Sequence, residues 1–321
     1  MKGDISLGVY VSIITAISSL LSVLNSMAYT ISTLGARTWA ITYYKDFVDF
    51  EEENKDKEVK KLDDFKIIFD NVSFTYPGSE KVVLHNLSFT INSNDIVAIV
   101  GANGAGKSTI IKLLCGLYKP NKGRILIDNQ NIYELTNKNI SKLFATVFQD
   151  YHCYQFSVRE NVALGNLKIM NNDSEIRKSL KQFDLEELEP DLDLPLGTID
   201  KNAVNISLGQ WQKLVLARTF SSEAAFAILD EPTASLDPIT ESKMYSNFIN
   251  ILKRKGAIII SHRLASARLA DKILVIDDGV LVELGNHDEL MKQNGLYSKM
   301  YNEQSSWYID DTVEGIPNEK H

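Results

Sequence analysis

Nine consecutive residues, Gly101-Ala102-Asn103-Gly104-Ala105-Gly106-Lys107-Ser108-Thr109, set glycines ahead of a lysine and two hydroxyls. Side chains of these types at this spacing can hold phosphate. Glycines let main-chain N–H groups converge on an anion, Lys107 can reach the β- and γ-phosphates, and Ser108 offers a hydroxyl to Mg²⁺. A second set lies far along the chain, where Asp230 and Glu231 are adjacent carboxylates. Asp230 suits the shell of a divalent cation, and Glu231 can polarise a water that attacks the γ-phosphate. The chemistry these groups imply together is phosphoryl transfer from a nucleotide to water.

Such groups need a scaffold, and the flanking residues supply one. Asp95 to Val100 reads as a short buried strand running into the glycine-rich loop, and Ile110 to Leu117 has the apolar period of a helix leaving it. Ala225 to Leu229 is a second hydrophobic strand, and it ends in the two carboxylates, at the end of a strand where α/β sheets place their ligands. A ligand-free glycine turn, or a solvated Asp-Glu turn, is the bland reading of either segment alone. Strand, loop and helix in sequence, paired with the acidic strand end, argue against both.

Composition narrows the class. The 321 residues are 44% hydrophobic and 24% charged, which excludes a disordered chain, a collagen and a small disulfide scaffold. With 34 basic against 42 acidic side chains the net charge is −8, so no global positive field would gather nucleic acid, and none is expected as a partner. Cys115 and Cys153 have neither CxxC spacing nor a neighbouring metal-ligand cluster, and read as reduced thiols.

Between Asp4 and Arg37 no charged side chain occurs, and the stretch is longer than the roughly 18 apolar residues that mark a membrane-spanning helix. Ser12, Thr15, Ser19, Ser22, Ser26, Thr30 and Thr33 recur on one helical face, which is expected to avoid lipid, by close helix packing or by lining a wet cavity. A signal peptide and a buried core helix are the competing readings. Arg37 and Lys45 follow the span while only Lys2 precedes it, favouring a cytosolic C-terminal side. The chain therefore begins with a membrane helix and its extension (1–45) and a charged linker (46–64), and the resemblance described next implies a nucleotide-binding domain over 65–305 and a tail over 306–321.

From 65 to about 305 the sequence resembles the nucleotide-binding domain of ATP-binding cassette (ABC) transporters. The residues that carry the resemblance are Asn205-Ile206-Ser207-Leu208-Gly209-Gln210-Trp211-Gln212-Lys213, similar to the LSGGQ signature, and Asp230-Glu231-Pro232-Thr233-Ala234-Ser235-Leu236-Asp237, similar to the Walker B and D-loop run. Gln149 matches the Q-loop, His262 in Ser261-His262-Arg263 the switch histidine, and Tyr76 before Pro77-Gly78 the adenine-stacking aromatic. The resemblance implies an α/β P-loop NTPase cassette with a mixed sheet core, an antiparallel β subdomain and a helical signature subdomain, preceded here by one transmembrane helix.

It also implies roles. ATP would lie on Tyr76, Gly101, Asn103, Gly104, Gly106, Lys107, Ser108 and Thr109, with Mg²⁺ held by Ser108, Gln149 and Asp230. Glu231, Gln149, His262 and Lys107 would be catalytic. Ser207, Leu208, Gly209 and Gln210 would close over the ATP of a second cassette, with Ser235 and Asp237 in the D-loop between them. One chain carries both sides of that sandwich, so a homodimer suffices and a heterodimer is compatible.

Two departures stand out. Leu208 occupies the place of the signature's first glycine, where a requirement for φ > 0 would strain it. The segment from Leu196 to Val204 also lacks the Glu-Arg-Gly element that many exporters carry. The order of helix, linker and cassette, with Gly285-Asn286-His287-Asp288-Glu289-Leu290 near the end, resembles exporter half-transporters of bacterial type. A single helix cannot enclose a pathway, so further membrane helices are expected from missing sequence or a partner chain. Peptide and lipid-like cargo both fit, and the expected location is the cell membrane with the cassette in the cytoplasm. A non-transport ABC ATPase with an anchor helix is the alternative.

Overall fold

The computed structural model describes residues 6–48, 64–232, 255–261 and 264–313. The chain divides into two units, Met1–Asn54 and Lys55–His321. The first contains α1 (Leu7–Val48), 42 residues and so about 63 Å long at 1.5 Å per residue, longer than the apolar run alone predicts. It is the one helix among the described residues long and apolar enough to cross a membrane.

Four hydroxyls of the stripe on α1 bond to their own helix. Ser12 donates to Gly8 O, Thr15 to Val11 O, Thr30 to Ser26 O and Thr33 to Thr30 O, at 2.8 to 2.9 Å. Each of these hydroxyls is satisfied by its own helix, so hydrogen bonding does not oblige that face to avoid lipid.

The second unit is built on two sheets. β1 (Lys66–Thr75), β2 (Val82–Asn92), β4 (Lys122–Ile127) and β5 (Gln130–Asn131) form an antiparallel sheet in the order β2-β1-β4-β5. The larger sheet has the order β10-β9-β3-β8-β7-β6. Its members are β3 (Ile96–Val100), β6 (Phe144–Val147), β7 (Phe226–Asp230), β8 (Gly256–Ile260), β9 (Lys272–Asp277) and β10 (Val280–Gly285). All its neighbours run parallel except the β9–β10 hairpin.

Burial on both faces explains why the parallel strands read as unbroken apolar runs. On β3, Val97 and Ile99 join Phe65, Ile67 and Ile91 of the antiparallel sheet in one core, together with Ile110, Ile111, Leu113 and Leu114 of α2 (Lys107–Leu114). Ile96, Ala98 and Val100 point the other way, into a second core with Trp211, Leu214 and Val215 of α6 (Leu208–Ser221). The two-residue period of a strand thus places the glycine-rich loop, which leaves the end of β3, between both subdomains.

Between them lie α3 (Asn137–Leu143), α4 (Val158–Ala163) and α5 (Asp173–Gln182). Beyond β8 come α7 (Leu264–Ala267), α8 (His287–Gln293) and α9 (Leu296–Val313). The Gly285 to Leu290 motif has a local explanation. Asn286 and Glu289 form the capping box that starts α8, Leu290 is fully buried, and His287 Nδ1 lies 2.8 Å from the Tyr297 hydroxyl.

Candidate active site

The glycine-rich loop is shaped by close backbone approach. Gly101 has φ +149, and a Cβ there would lie 2.0 Å from the carbonyl oxygen of Ile276 on β9. Gly106, at φ +100, is the residue before α2, and a Cβ on it would meet Leu84 at 2.7 Å. A left-handed residue at this point makes α2 begin at Lys107, earlier than the apolar period alone predicts. Thr136, Ser157, Asn172, Ser207 and Asn286 cap the helices they precede with side-chain oxygens, whereas α2 has no side-chain cap. Its first N–H groups are available to an anion, reinforced by the positive end of the helix dipole.

Lys107 is buried, and its Nζ donates to Gly101 O at 2.8 Å and to Ala102 O at 2.9 Å. Burial pulls the ammonium below its ordinary pKa, and the fields of Glu231 and then Asp230 oppose that shift. The cation is therefore folded back on its own loop, within the influence of both carboxylates.

Strand pairing brings the acids to the loop. β6 runs parallel to β7 with Val147 opposite Leu229, so Gln149 and Glu231, each two residues further on, emerge side by side. Gln149 Nε2 donates to Glu231 Oε2 at 3.0 Å. Asp230 is buried at the end of β7, and Glu231 has φ +50, a left-handed conformation that costs a non-glycine residue roughly 1–3 kcal/mol. Its N–H donates to Ile260 O at 3.0 Å, which helps hold that turn.

Opposite stands an aromatic wall. Tyr76 packs edge-on against Phe74 and Tyr118, with centroids 4.9 and 5.2 Å away, and its hydroxyl lies 3.0 Å from Thr109 Oγ1. Tyr76, Val83, Asn103, Gly104, Gly106, Lys107, Ser108, Thr109, Gln149 and Glu231 line one cavity of about 420 Å³. These donors fit ATP: uncapped helix N–H groups and a lysine for phosphate, and a Tyr π-face beside them. They also fit Mg²⁺, since a hydroxyl, an amide oxygen and carboxylates are the hard oxygen donors that such a cation takes.

Ser207 to Gln210 do not line this cavity. Ser207 caps α6, accepting from Gln210 N at 3.2 Å, while Gln210 Oε1 accepts from Ser207 N at 2.7 Å. Leu208 is the first residue of α6 and is absent from the residues with positive φ, so the expected strain does not arise. Its side chain is 60% exposed. Lys213 bonds Asp184 O at 3.3 Å. Ser235, Asp237 and His262 lie outside the described residues.

The sequence profile of the ABC transporter family matches residues 84–234, which hold the loop, Gln149, the signature segment and both carboxylates. The chain carries a domain of the ABC transporter family. It is 34% identical over 318 residues to the subtilin transport ATP-binding protein SpaT of Bacillus subtilis, a match covering 97% of this chain and 52% of that one. It is 33% identical over 313 residues to the ATP-dependent lipid A-core flippase of Haemophilus ducreyi, covering 95% and 53%. The structure of a bacterial Atm1-family ABC exporter with ATP bound aligns at TM-score 0.74 and 28% identity, over 95% of this chain and 54% of that one. The chain spans about half the length of the curated relatives it matches.

Within this ATP-binding cassette some contributors were not apparent from the motifs. Val83 lines the cavity because β2 passes beneath Gly106. Gly279, in the β9–β10 turn, donates to Ala105 O of the phosphate loop at 3.1 Å and accepts from His85 N of β2 at 2.9 Å. The Asp278-Gly279 pair between apolar strands is a hairpin signal, but nothing in the local sequence says that the turn props the ABC phosphate loop.

Proposed function

We propose that this chain is the ATP-hydrolysing part of an ABC exporter, anchored in the cell membrane by its N-terminal helix with the cassette on the cytoplasmic side. The observation that carries the reading is the single cavity joining an uncapped, lysine-bearing phosphate loop to Gln149 and Glu231. In this reading residues 1–45 are the membrane helix and its extension, 46–64 a linker, 65–305 the cassette and 306–321 a tail. Cargo of peptide or lipid-like character is compatible with relatives that carry subtilin transport and lipid A-core flippase in their names.

Each residue then has a physical task. Tyr76 presents its ring to adenine, and the N–H groups at the start of α2 hold the phosphates. Lys107 leaves the carbonyls of Gly101 and Ala102 for the more strongly attracting phosphate oxygens. Bound Mg²⁺, held by Ser108, Gln149 and Asp230, would neutralise charge on the β- and γ-phosphates. Glu231 takes the proton of the attacking water, and His262 hydrogen-bonds the γ-phosphate.

Ser207 and Gly209 of a second copy complete the site, so that ATP holds two cassettes together and hydrolysis releases them. The segment from Tyr151 to Val162 is where the family resemblance puts contact with the membrane part.

The test is Mg²⁺-ATP hydrolysis by the membrane-extracted chain across a range of protein concentrations, with Glu231→Gln as control. Turnover rising faster than linearly and lost in the variant supports a self-sufficient homodimer. ATP binding without turnover at any concentration would overturn it.

A further inference from the structure

An exposed ladder of rings precedes α4. Tyr154 and Phe156 stack with centroids 5.8 Å apart and planes 11° from parallel, and His152 lies 6.3 Å beyond Tyr154. Tyr154 is 41% and Phe156 46% exposed. The ladder belongs to no helix or strand, so side chains must hold it.

Asn161 and Arg218 do so. Asn161 on α4 is fully buried, and its Nδ2 donates to the carbonyls of Tyr154, Phe156 and Ser157 at 3.0, 3.3 and 3.0 Å. The rest of its polar capacity faces α6. Arg218 donates through Nη2 to Asn161 Oδ1 at 2.6 Å and through Nε to Asn161 O at 3.0 Å. The same guanidinium lies over the Tyr154 ring, Cζ 4.7 Å from its centroid. One planar cation thus grips both the residue that holds the ladder's backbone and the ladder's central ring. Gly165, just past α4, approaches α6 so closely that a Cβ there would sit 1.8 Å from Arg218 O. Arg218 is near the C-terminal end of the helix whose first turn carries the signature residues.

We propose that Asn161 and Arg218 are positioning residues that lock the His152–Phe156 ladder to α6, so that the ladder moves as one body with the signature end of that helix when ATP draws it toward a second cassette. This rests on the reading of ATP-driven closure given above. A packed helix bound at both ends transmits displacement because neither attachment can slide without breaking buried hydrogen bonds.

Cys153 lies in the ladder, exposed, while Cys115 is partly buried with its sulfur 3.3 Å from Thr146 Oγ1, so an environment-sensitive thiol probe on the full chain reports chiefly from this position. The probe is attached in a Glu231→Gln background, and emission is read before and after Mg²⁺-ATP, with ATP binding and dimer mass measured on the same samples. The expected result is an ATP-dependent shift that is lost in Arg218→Lys and Tyr154→Leu and retained in Tyr154→Phe, with ATP binding and dimer formation unchanged. Asn161→Ala should also lose the shift. The Tyr154 pair keeps the test valid if that buried change impairs folding. Dimer formation without any shift, or a shift undiminished in Arg218→Lys and Tyr154→Leu, overturns the proposal. Binding of ATP without dimer formation overturns instead the closure reading on which it stands.

Discussion

The side-chain amide of Gln149 donates a 3.0 Å hydrogen bond to Oε2 of Glu231. One of the two carboxylate oxygens of Glu231 is therefore held by a residue from the loop that leads into the exposed aromatic ladder. Release of Glu231 requires Gln149 to turn, and an amide has reason to turn when its oxygen gains a cation to face.

Replacing Glu231 with Gln should leave ATP binding intact and lower turnover by about 10²–10⁴-fold, the usual contribution of a positioned base. Phosphate release and equilibrium binding of labelled ATP on one preparation separate the two. Equal losses of both would show that Glu231 serves binding, not proton transfer.

Lys107 offers a second separation. In the wild-type chain, ATP at about 100 times its Kd should add about 2.7 kcal/mol of stability. Lys107→Ala should lose most of that gain while unfolding normally without nucleotide, because the lysine's partners are main-chain carbonyls of a loop pinned elsewhere by Gly279. Denaturant titrations with and without ATP measure the difference.

The two thiols should titrate apart. Burial pushes Cys115 up to about 11, against a smaller opposing effect of its bond with Thr146. Cys153 is exposed, although partial burial raises it and the nearby Arg218 opposes that rise. A colourimetric thiol reagent at pH 8 should find one reactive thiol in the native chain, slower than a free one, and two after denaturation.

Asp95 fixes the start of β3 through acid-dependent contacts. Burial disfavours its charge, yet Lys272 Nζ at 2.7 Å, with Asn92 N and Nδ2 at 3.0 and 2.9 Å, carries its pKa below the ordinary carboxylate value. A lowered folded pKa means stability present at neutral pH and lost as pH falls through that value. Asp95→Asn should cost about 1–2 kcal/mol at pH 7 in urea unfolding. The gap to wild type should begin to narrow as pH falls below about 4 and close only below the lowered folded-state value.

The phosphate loop and its strand were legible because glycine spacing and an apolar run are local properties. The contact between Gln149 and Glu231 was not, since it depends on β6 lying beside β7, and strand order is not written in chain order. Leu208 shows the opposite limit. A family pattern suggested strain, but the position is simply the first residue of a helix, where leucine is at ease. The bonds that four hydroxyls of α1 make to their own helix were not legible either, because a period that marks a face says nothing of where its polar groups find partners.

Ser207 spends one half of its hydroxyl on the fold. A lone pair accepts from Gln210 N to begin α6, and among the described residues no other group takes its proton, which in the proposed two-cassette site would be offered to a neighbour's phosphate. Folding and competence thus draw on different parts of one oxygen-bearing group. Threonine preserves both. Aspartate would keep the cap but bring no donor proton, so in the proposed two-cassette site the expected outcome is a chain that is soundly built yet unable to donate to a neighbour's phosphate, a kind of loss that no survey of thermal stability would detect.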